Sequence, residues 1–225
     1  RRQRQMCIRD RAVSLIAIHQ HGIPNQFPQE VLEESEKPDF FESLSKEDLT
    51  EIPFVTIDPS DARDHDDAVY AHADKDPSNR GGHVLWVAIA DVAHFVKPGS
   101  ALDKEARKRG NSTYFADRVV PMLPDRLSGD LCSIHEGVGR PCLAVCMTID
   151  KSGNKFKQAF HRGNIKSVAS LNYEEVQDAI DGKVNESVKP FFEKVIKPLY
   201  SSYFCLKKSK ETRQPLDLDL PERKV

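Results

Sequence analysis

The 225-residue chain is short of several things, and each scarcity excludes something. Its five cysteines (Cys7, Cys132, Cys142, Cys146, Cys205) are odd in number and contain no C-x-x-C pair. That argues against a disulfide framework and fits thiols kept reduced in a cytoplasm, the compartment expected here. Cys142-x-x-x-Cys146 with His135 lacks a second ligand pair and lies in an apolar run, so a buried strand is a simpler reading than zinc. No apolar run approaches the roughly 18 residues that a membrane span needs. Charge of one sign is also missing: 33 Lys and Arg face 35 Asp and Glu, a net of −2. Without a global basic field, any nucleic-acid binding must come from a local groove. No internal repeat is visible.

What the chain does have is length enough for a real core and one conspicuous acidic run. Ile57-Asp58-Pro59-Ser60-Asp61-Ala62-Arg63-Asp64-His65-Asp66-Asp67-Ala68 carries five carboxylates within ten residues. Like charges about 4 Å apart cost roughly 4 kcal/mol each pair at an effective dielectric near 20. Such crowding persists only if protons or cations neutralise it, and hard divalent ions prefer carboxylate oxygen. A solvated acidic turn is the alternative, since Asp beside Pro and Ser is common in loops. The flanking apolar segments, Phe54 to Ile57 and Ala68 to Tyr70, tether this run to the core. An EF-hand loop is excluded, because the twelfth position from Asp64 is Lys75, not Glu.

Taken in order, residues 1–11 are a basic stretch without periodicity, expected to be a disordered or non-native leader. Residues 12–51 form an entry segment, with a short helix over Pro28 to Glu36 and an extended or looped stretch at His19-Gln20-His21. Ser45-Lys46-Glu47-Asp48 reads as a cap-like turn. Strands are expected at Phe54, at Ala68 to Ala73 and at His83 to Ile89 running on to Val96, a meander with the acidic run at its end. Ser100 caps a helix that stops at Gly110, and its basic last turn (Arg107, Lys108, Arg109) suits either the helix dipole or a phosphate. Tyr114, in a polar loop beside Arg118, is either a base-stacking platform or a half-buried tyrosine. Leu143 to Ile149 and Lys155 to Arg162 are expected to form a hairpin over Lys151-Ser152-Gly153-Asn154. Asn172 and Glu175 form a capping box opening a helix that ends at Gly182. The apolar stripe from Phe192 to Leu206 is expected to pack in the core, with Pro198 either kinking the helix or marking the start of its second part. Residues 216–220 alternate as a strand.

These residues resemble a known family. TIDPSDARDHDDAVY is similar to the signature of the RNB catalytic domain of the ribonuclease II/ribonuclease R exoribonucleases. WVAIADVAHFV, RGNSTYFADRVVPMLPDRLSGDLCSI, HRGNIKSVASLNYEEV and ETRQPLDLDLPERKV agree with it. The resemblance runs from about Ala12 to Val225 and looks closest to the bacterial ribonuclease R branch.

It implies an α+β fold, a largely antiparallel sheet with flanking helices, with residues 52–225 the N-terminal part of a domain that continues past Val225. It also implies processive hydrolysis of single-stranded RNA from the 3′ end to nucleoside 5′-monophosphates, with Mg²⁺ or Mn²⁺. Carried over, Asp58, Asp64, Asp66 and Asp67 are the metal-binding quartet. Asp66 is then the residue most critical for cleavage, with Asp64 beside it. Asp58 and Asp67 are the firmest ligands, and Asp61 is a turn residue. Tyr114 is the base platform, and Arg109 and Arg118 are candidate RNA contacts. No membrane, DNA or named protein partner is implied. A non-catalytic RNA-binding scaffold and an unrelated metal-dependent phosphohydrolase built on the His65-Asp66 pair are the alternatives.

Overall fold

The computed structural model describes residues 13–37, 47–62 and 64–216. The expected leader and the strand at 216–220 therefore fall almost wholly outside the described residues. The chain divides into two compact units, Arg1–Phe40 with Ala93–Ser128 and Leu218–Val225, and Phe41–Val92 with Gly129–Asp217.

The second unit is built on a seven-stranded sheet. Its strands are β1 (Glu47–Asp48), β2 (Val55–Asp58), β3 (Asp67–Ala73) and β4 (His83–Ala90), then β7 (Gly139–Ile149), β8 (Lys155–Lys166) and β9 (Ala169–Asn172). The order across the sheet is β1-β8-β7-β4-β3-β2-β9. Neighbours from β2 to β8 pair antiparallel, as expected, while β9 on β2 and β1 on β8 run parallel at the two edges. The β7–β8 hairpin turns at Gly153, whose φ of +79° needs a residue without a Cβ. Both hairpin strands are longer than their apolar runs suggest, because cross-strand pairing continues into polar sequence.

Two helices close one part of this unit. α5 (Tyr173–Ile180) starts on the expected capping box: Asn172 Oδ1 accepts from Glu175 N at 2.8 Å and Glu175 Oε1 accepts from Asn172 N at 3.2 Å. The later helix runs as α6 (Lys189–Phe191), a π turn (Phe192–Ile196) and α7 (Lys197–Thr212). Pro198 is the second residue of α7, where its missing N–H and its ring would disrupt an ordinary α turn. The widened π turn before it absorbs that conflict, with Lys197 N bonded to Phe192 O. Val55, Ala169, Leu171, Val176, Val195 and Ile196 are buried together here. Each of the buried Val, Leu and Ile side chains contributes about 1.5–3 kcal/mol by leaving water. The stripe is core only at its start, because Tyr203 and Phe204 are half exposed and Tyr203 and Leu206 line an open cleft.

The first unit holds α1 (residues 13–20), α2 (Gln29–Ser35), α4 (Ala101–Arg109) and a small hairpin of β5 (Thr113–Tyr114) and β6 (Val119–Val120). α3 (Val92–Phe95) lies where the chain passes between the units. α4 begins as expected on Ser100, whose hydroxyl accepts from Asp103 N at 3.2 Å, and it stops at Gly110 with φ +79°. Glu34 reaches α4 and accepts from Leu102 N at 3.1 Å.

Three local expectations are corrected. His19 lies in the last helical turn, not in an extended or looped stretch. Glu47-Asp48 is an edge strand on β8 instead of a cap-like turn. Residues 92–95 are helical, starting directly after Asp91, whose N–H donates to Pro141 O at 3.0 Å where the β4 ladder ends.

Candidate active site at the β2–β3 end of the sheet

β2 and β3 are antiparallel neighbours, so the end of one and the start of the next lie at the same end of the sheet. Asp58 is the last residue of β2 and pairs with Asn172 of β9. Asp67 is the first of β3 and pairs with Ile89 of β4. The acidic run is thus the connection between two central strands, and the sheet fixes both its ends.

Its middle is fixed by other parts of the second unit. His65 Nδ1 lies 2.7 Å from Asp58 Oδ2, with both side chains largely buried. His65 N donates to Ser133 Oγ at 2.9 Å, and Ile134 N donates to His65 O at 2.8 Å. Ala90 N donates to Asp66 O at 2.9 Å. Asp61 sits exposed in the turn before these anchors.

The electrostatics match the crowding. Partial desolvation raises the Asp66 pKa most, followed by the like charges of Asp64, Asp67 and Asp58, while His65 pulls the other way. Asp67 is raised in the same manner, by desolvation first and then by Asp58. Both side chains still reach solvent, so an ion or a substrate has access to them. Among the described residues, no three His, Cys, Asp or Glu side chains are arranged to hold a metal ion. The aspartates are close enough to feel one another's charge. As a donor set they are all oxygen, mutually repulsive and at one sheet end, which fits a hard divalent cation.

The other expected site residues lie in the first unit. Tyr114 is 71 % exposed on the β5–β6 hairpin, opposite Val119. Arg118 forks onto Asp117, with Nε and Nη2 at 3.0 and 2.9 Å from Oδ2. Arg109 departs from the phosphate-facing expectation. Its side chain is only 2 % exposed, and its guanidinium bonds Glu105 Oε1 at 3.0 Å, Pro121 O at 3.1 Å and Gln26 O at 2.7 Å. It also lies over the Phe27 ring, 3.7 Å from the centroid. With that fork committed to its own unit, Arg109 is a strut.

Sequence reading missed several groups around the acidic run. Buried Ser133 is one, and buried Arg140, which bonds Ser133 O at 2.9 Å and Asp130 Oδ1 at 2.7 Å, is another. Arg162 Nε also meets the buried Asp91 carboxylate at 2.6 Å. No spacing rule links a serine to a loop 68 residues earlier in the chain. The thiol of Cys132 is pushed up to about 12 by burial and then by the nearby Asp66 charge, so it stays protonated at neutral pH.

A model of the RNB domain matches residues 46–225. Curated relatives include Ribonuclease R of Vibrio parahaemolyticus, 41% identical over 217 residues, covering 93% of this chain and 25% of that protein. Ribonuclease R of Escherichia coli is 38% identical, covering 93% of this chain and 26% of its own length. The chain thus spans about a quarter of these relatives. Among solved structures, Mycoplasma genitalium RNase R in complex with ribose methylated single-stranded RNA superposes with a TM-score of 0.83. It is 26% identical, with 96% of this chain and 34% of that one covered. The similarity takes in both the acidic run and the mixed-edge sheet that carries it, and by that extent the chain belongs to the RNB domain family.

Proposed function

We propose that this chain carries the cation-holding part of a hydrolytic 3′-to-5′ exoribonuclease that degrades single-stranded RNA processively to nucleoside 5′-monophosphates. The observation behind this reading is the placement of Asp58, Asp64, Asp66 and Asp67 at one end of the sheet in an RNB domain, with the pKa values of Asp66 and Asp67 raised by partial desolvation and then by neighbouring carboxylates. The relatives are named Ribonuclease R, and one solved relative holds single-stranded RNA. No described helix is long and apolar enough to cross a membrane. Action on cytoplasmic RNA is part of the proposal.

In this reading Asp58 and Asp67, anchored on strands, hold the cation most firmly, and Asp64 and Asp66 complete the set. Bound Mg²⁺, or Mn²⁺ in its place, supplies a water acidic enough to act as nucleophile near neutral pH and offsets charge on the phosphate oxygens. His65, 2.7 Å from Asp58 Oδ2, would orient the Asp58 carboxylate for holding the cation. No histidine base is needed, so His65 is a bystander or a supporting group beside the site in this reading. Tyr114 stacks on a base near the 3′ end, contributing about 1–3 kcal/mol without reading its identity. Selection of RNA over DNA rests on the 2′-hydroxyl.

The test is product polarity. Single-stranded RNA labelled at the 3′ end should release labelled mononucleotide at once in Mg²⁺, while the same RNA labelled at the 5′ end should shorten gradually. Internal fragments early in the reaction would sink the proposal.

A further inference from the structure

The acidic run does not hold its own shape. Between Asp64 and Asp66 its backbone is gripped from outside by residues 130–140. His65 is held three ways: N–H to Ser133 Oγ at 2.9 Å, C=O from Ile134 N at 2.8 Å, and its ring to Asp58 at 2.7 Å. Together these bonds fix the peptide planes on both sides of His65 and so the direction in which Asp64 and Asp66 leave the chain.

Ser133 is itself fixed. Its side chain is fully buried, and its N–H bonds Asp130 O at 3.0 Å. Arg140 Nε bonds Ser133 O at 2.9 Å while Arg140 Nη2 bonds Asp130 at 2.7 Å. His135 Nε2 meets Gly129 O at 3.1 Å and closes the same loop. A π turn (Arg126–Leu131) leads into this segment, a geometry that needs a compensating constraint to persist. The path runs without a gap from Asp130 through Arg140, Ser133 and His65 to Asp58.

We infer that Ser133, locked by Arg140, is a positioning residue for the aspartate quartet: its hydroxyl sets the geometry, and hence the divalent-cation affinity, of a run it does not belong to. The inference rests on the reading of that run as a cation site. A serine here has a specific requirement to meet, because the partly buried His65 N–H is met by an acceptor of hydroxyl size at this distance. The two backbone anchors, Ile134 N to His65 O and Ala90 N to Asp66 O, remain when the hydroxyl is removed. The expected result is therefore a loosened site on an intact fold.

The test is Mn²⁺ binding to the chain, measured from the paramagnetic resonance of free Mn²⁺, with far-ultraviolet dichroism as a check on folding. Ser133→Ala should weaken Mn²⁺ about fivefold, the effect of one lost hydrogen bond. Ser133→Thr, which keeps the acceptor, should return affinity to within about twofold of the unaltered chain. The amide of His65 should exchange with solvent faster in Ser133→Ala and recover in Ser133→Thr. If Ser133→Ala does not fold, Ser133→Cys, a weaker acceptor of similar size, carries the same comparison. Unchanged Mn²⁺ affinity in the folded Ala or Cys variant overturns the positioning role. Mn²⁺ binding that survives Asp66→Asn and Asp67→Asn undiminished overturns the cation site itself, and the role of Ser133 with it.

Discussion

Arg109 discriminates between a phosphate contact and a structural strut, and truncating it gives the two readings opposite outcomes. Arg109→Ala removes two hydrogen bonds from a charged donor to backbone carbonyls, Pro121 O and Gln26 O. It also removes the partner of Glu105, which is itself only 8% exposed in its side chain, and the stacking on Phe27. Hydrogen bonds to charged groups contribute about 1.5–3 kcal/mol each. Breaking one side of a buried ion pair costs about 3–5 kcal/mol. Lys108 Nζ, 3.6 Å from Glu105, remains to offset part of the uncompensated charge. These contributions overlap, and about 3–5 kcal/mol is the expected loss for the whole substitution. Arg109→Lys recovers little, since a single ammonium cannot span three acceptors in different directions. Urea unfolding followed by circular dichroism reads the loss, and RNA affinity across a salt series reads the alternative. The reasoning is refuted if Arg109→Ala stays within about 0.5 kcal/mol of the unaltered chain while the salt dependence of RNA binding falls by about one unit.

Other outcomes follow from the same geometry. The raised pKa values of Asp66 and Asp67 mean that the folded chain holds their protons more tightly than the unfolded one. Their contribution to stability is full below the ordinary carboxylate range and is lost as pH rises through the raised values. At neutral pH in chelator, Asp66→Asn should therefore resist urea better than the unaltered chain, with the gap closing on acidification or on adding Mg²⁺. A less stable variant under those conditions contradicts the crowding account. Gly153→Ala places a Cβ against the Cys205 carbonyl at a φ of +79°, and should destabilise the chain by about 1–3 kcal/mol and expose α7 to proteolysis. Tyr114→Ala should leave the unfolding midpoint unchanged, because the ring is exposed, and weaken RNA binding near the 3′ end by about 1–3 kcal/mol.

Much of the second unit was legible because its signals are local. The apolar runs of β3, β4 and β7, the turn at Gly153 and the capping box at Asn172 each depend on a few adjacent residues, and each forms where expected. β9 and β1 were not legible, because each is short and exists only through a parallel partner far along the chain. Pairing of that kind leaves no periodic trace. The same division holds at the site. Asp58 to Asp67 are close in sequence and announce themselves by charge. Ser133 and Arg140 act through single hydrogen bonds across long separations, and neither residue type is unusual where it stands. The role of Arg109 was not legible, because a basic last helical turn looks the same whether it faces water or carbonyls. Only burial separates the two cases.

The central claim is that Asp66 takes part in cleavage and not in gripping RNA. The direct measurement compares the chain with Asp66→Asn, using 3′-labelled single-stranded RNA in Mg²⁺ and fluorescence anisotropy of the same RNA. The account predicts that the unaltered chain releases labelled mononucleotide, while Asp66→Asn binds RNA with unchanged affinity and releases none. Cleavage that persists in Asp66→Asn, or RNA binding that disappears with it, would contradict the account.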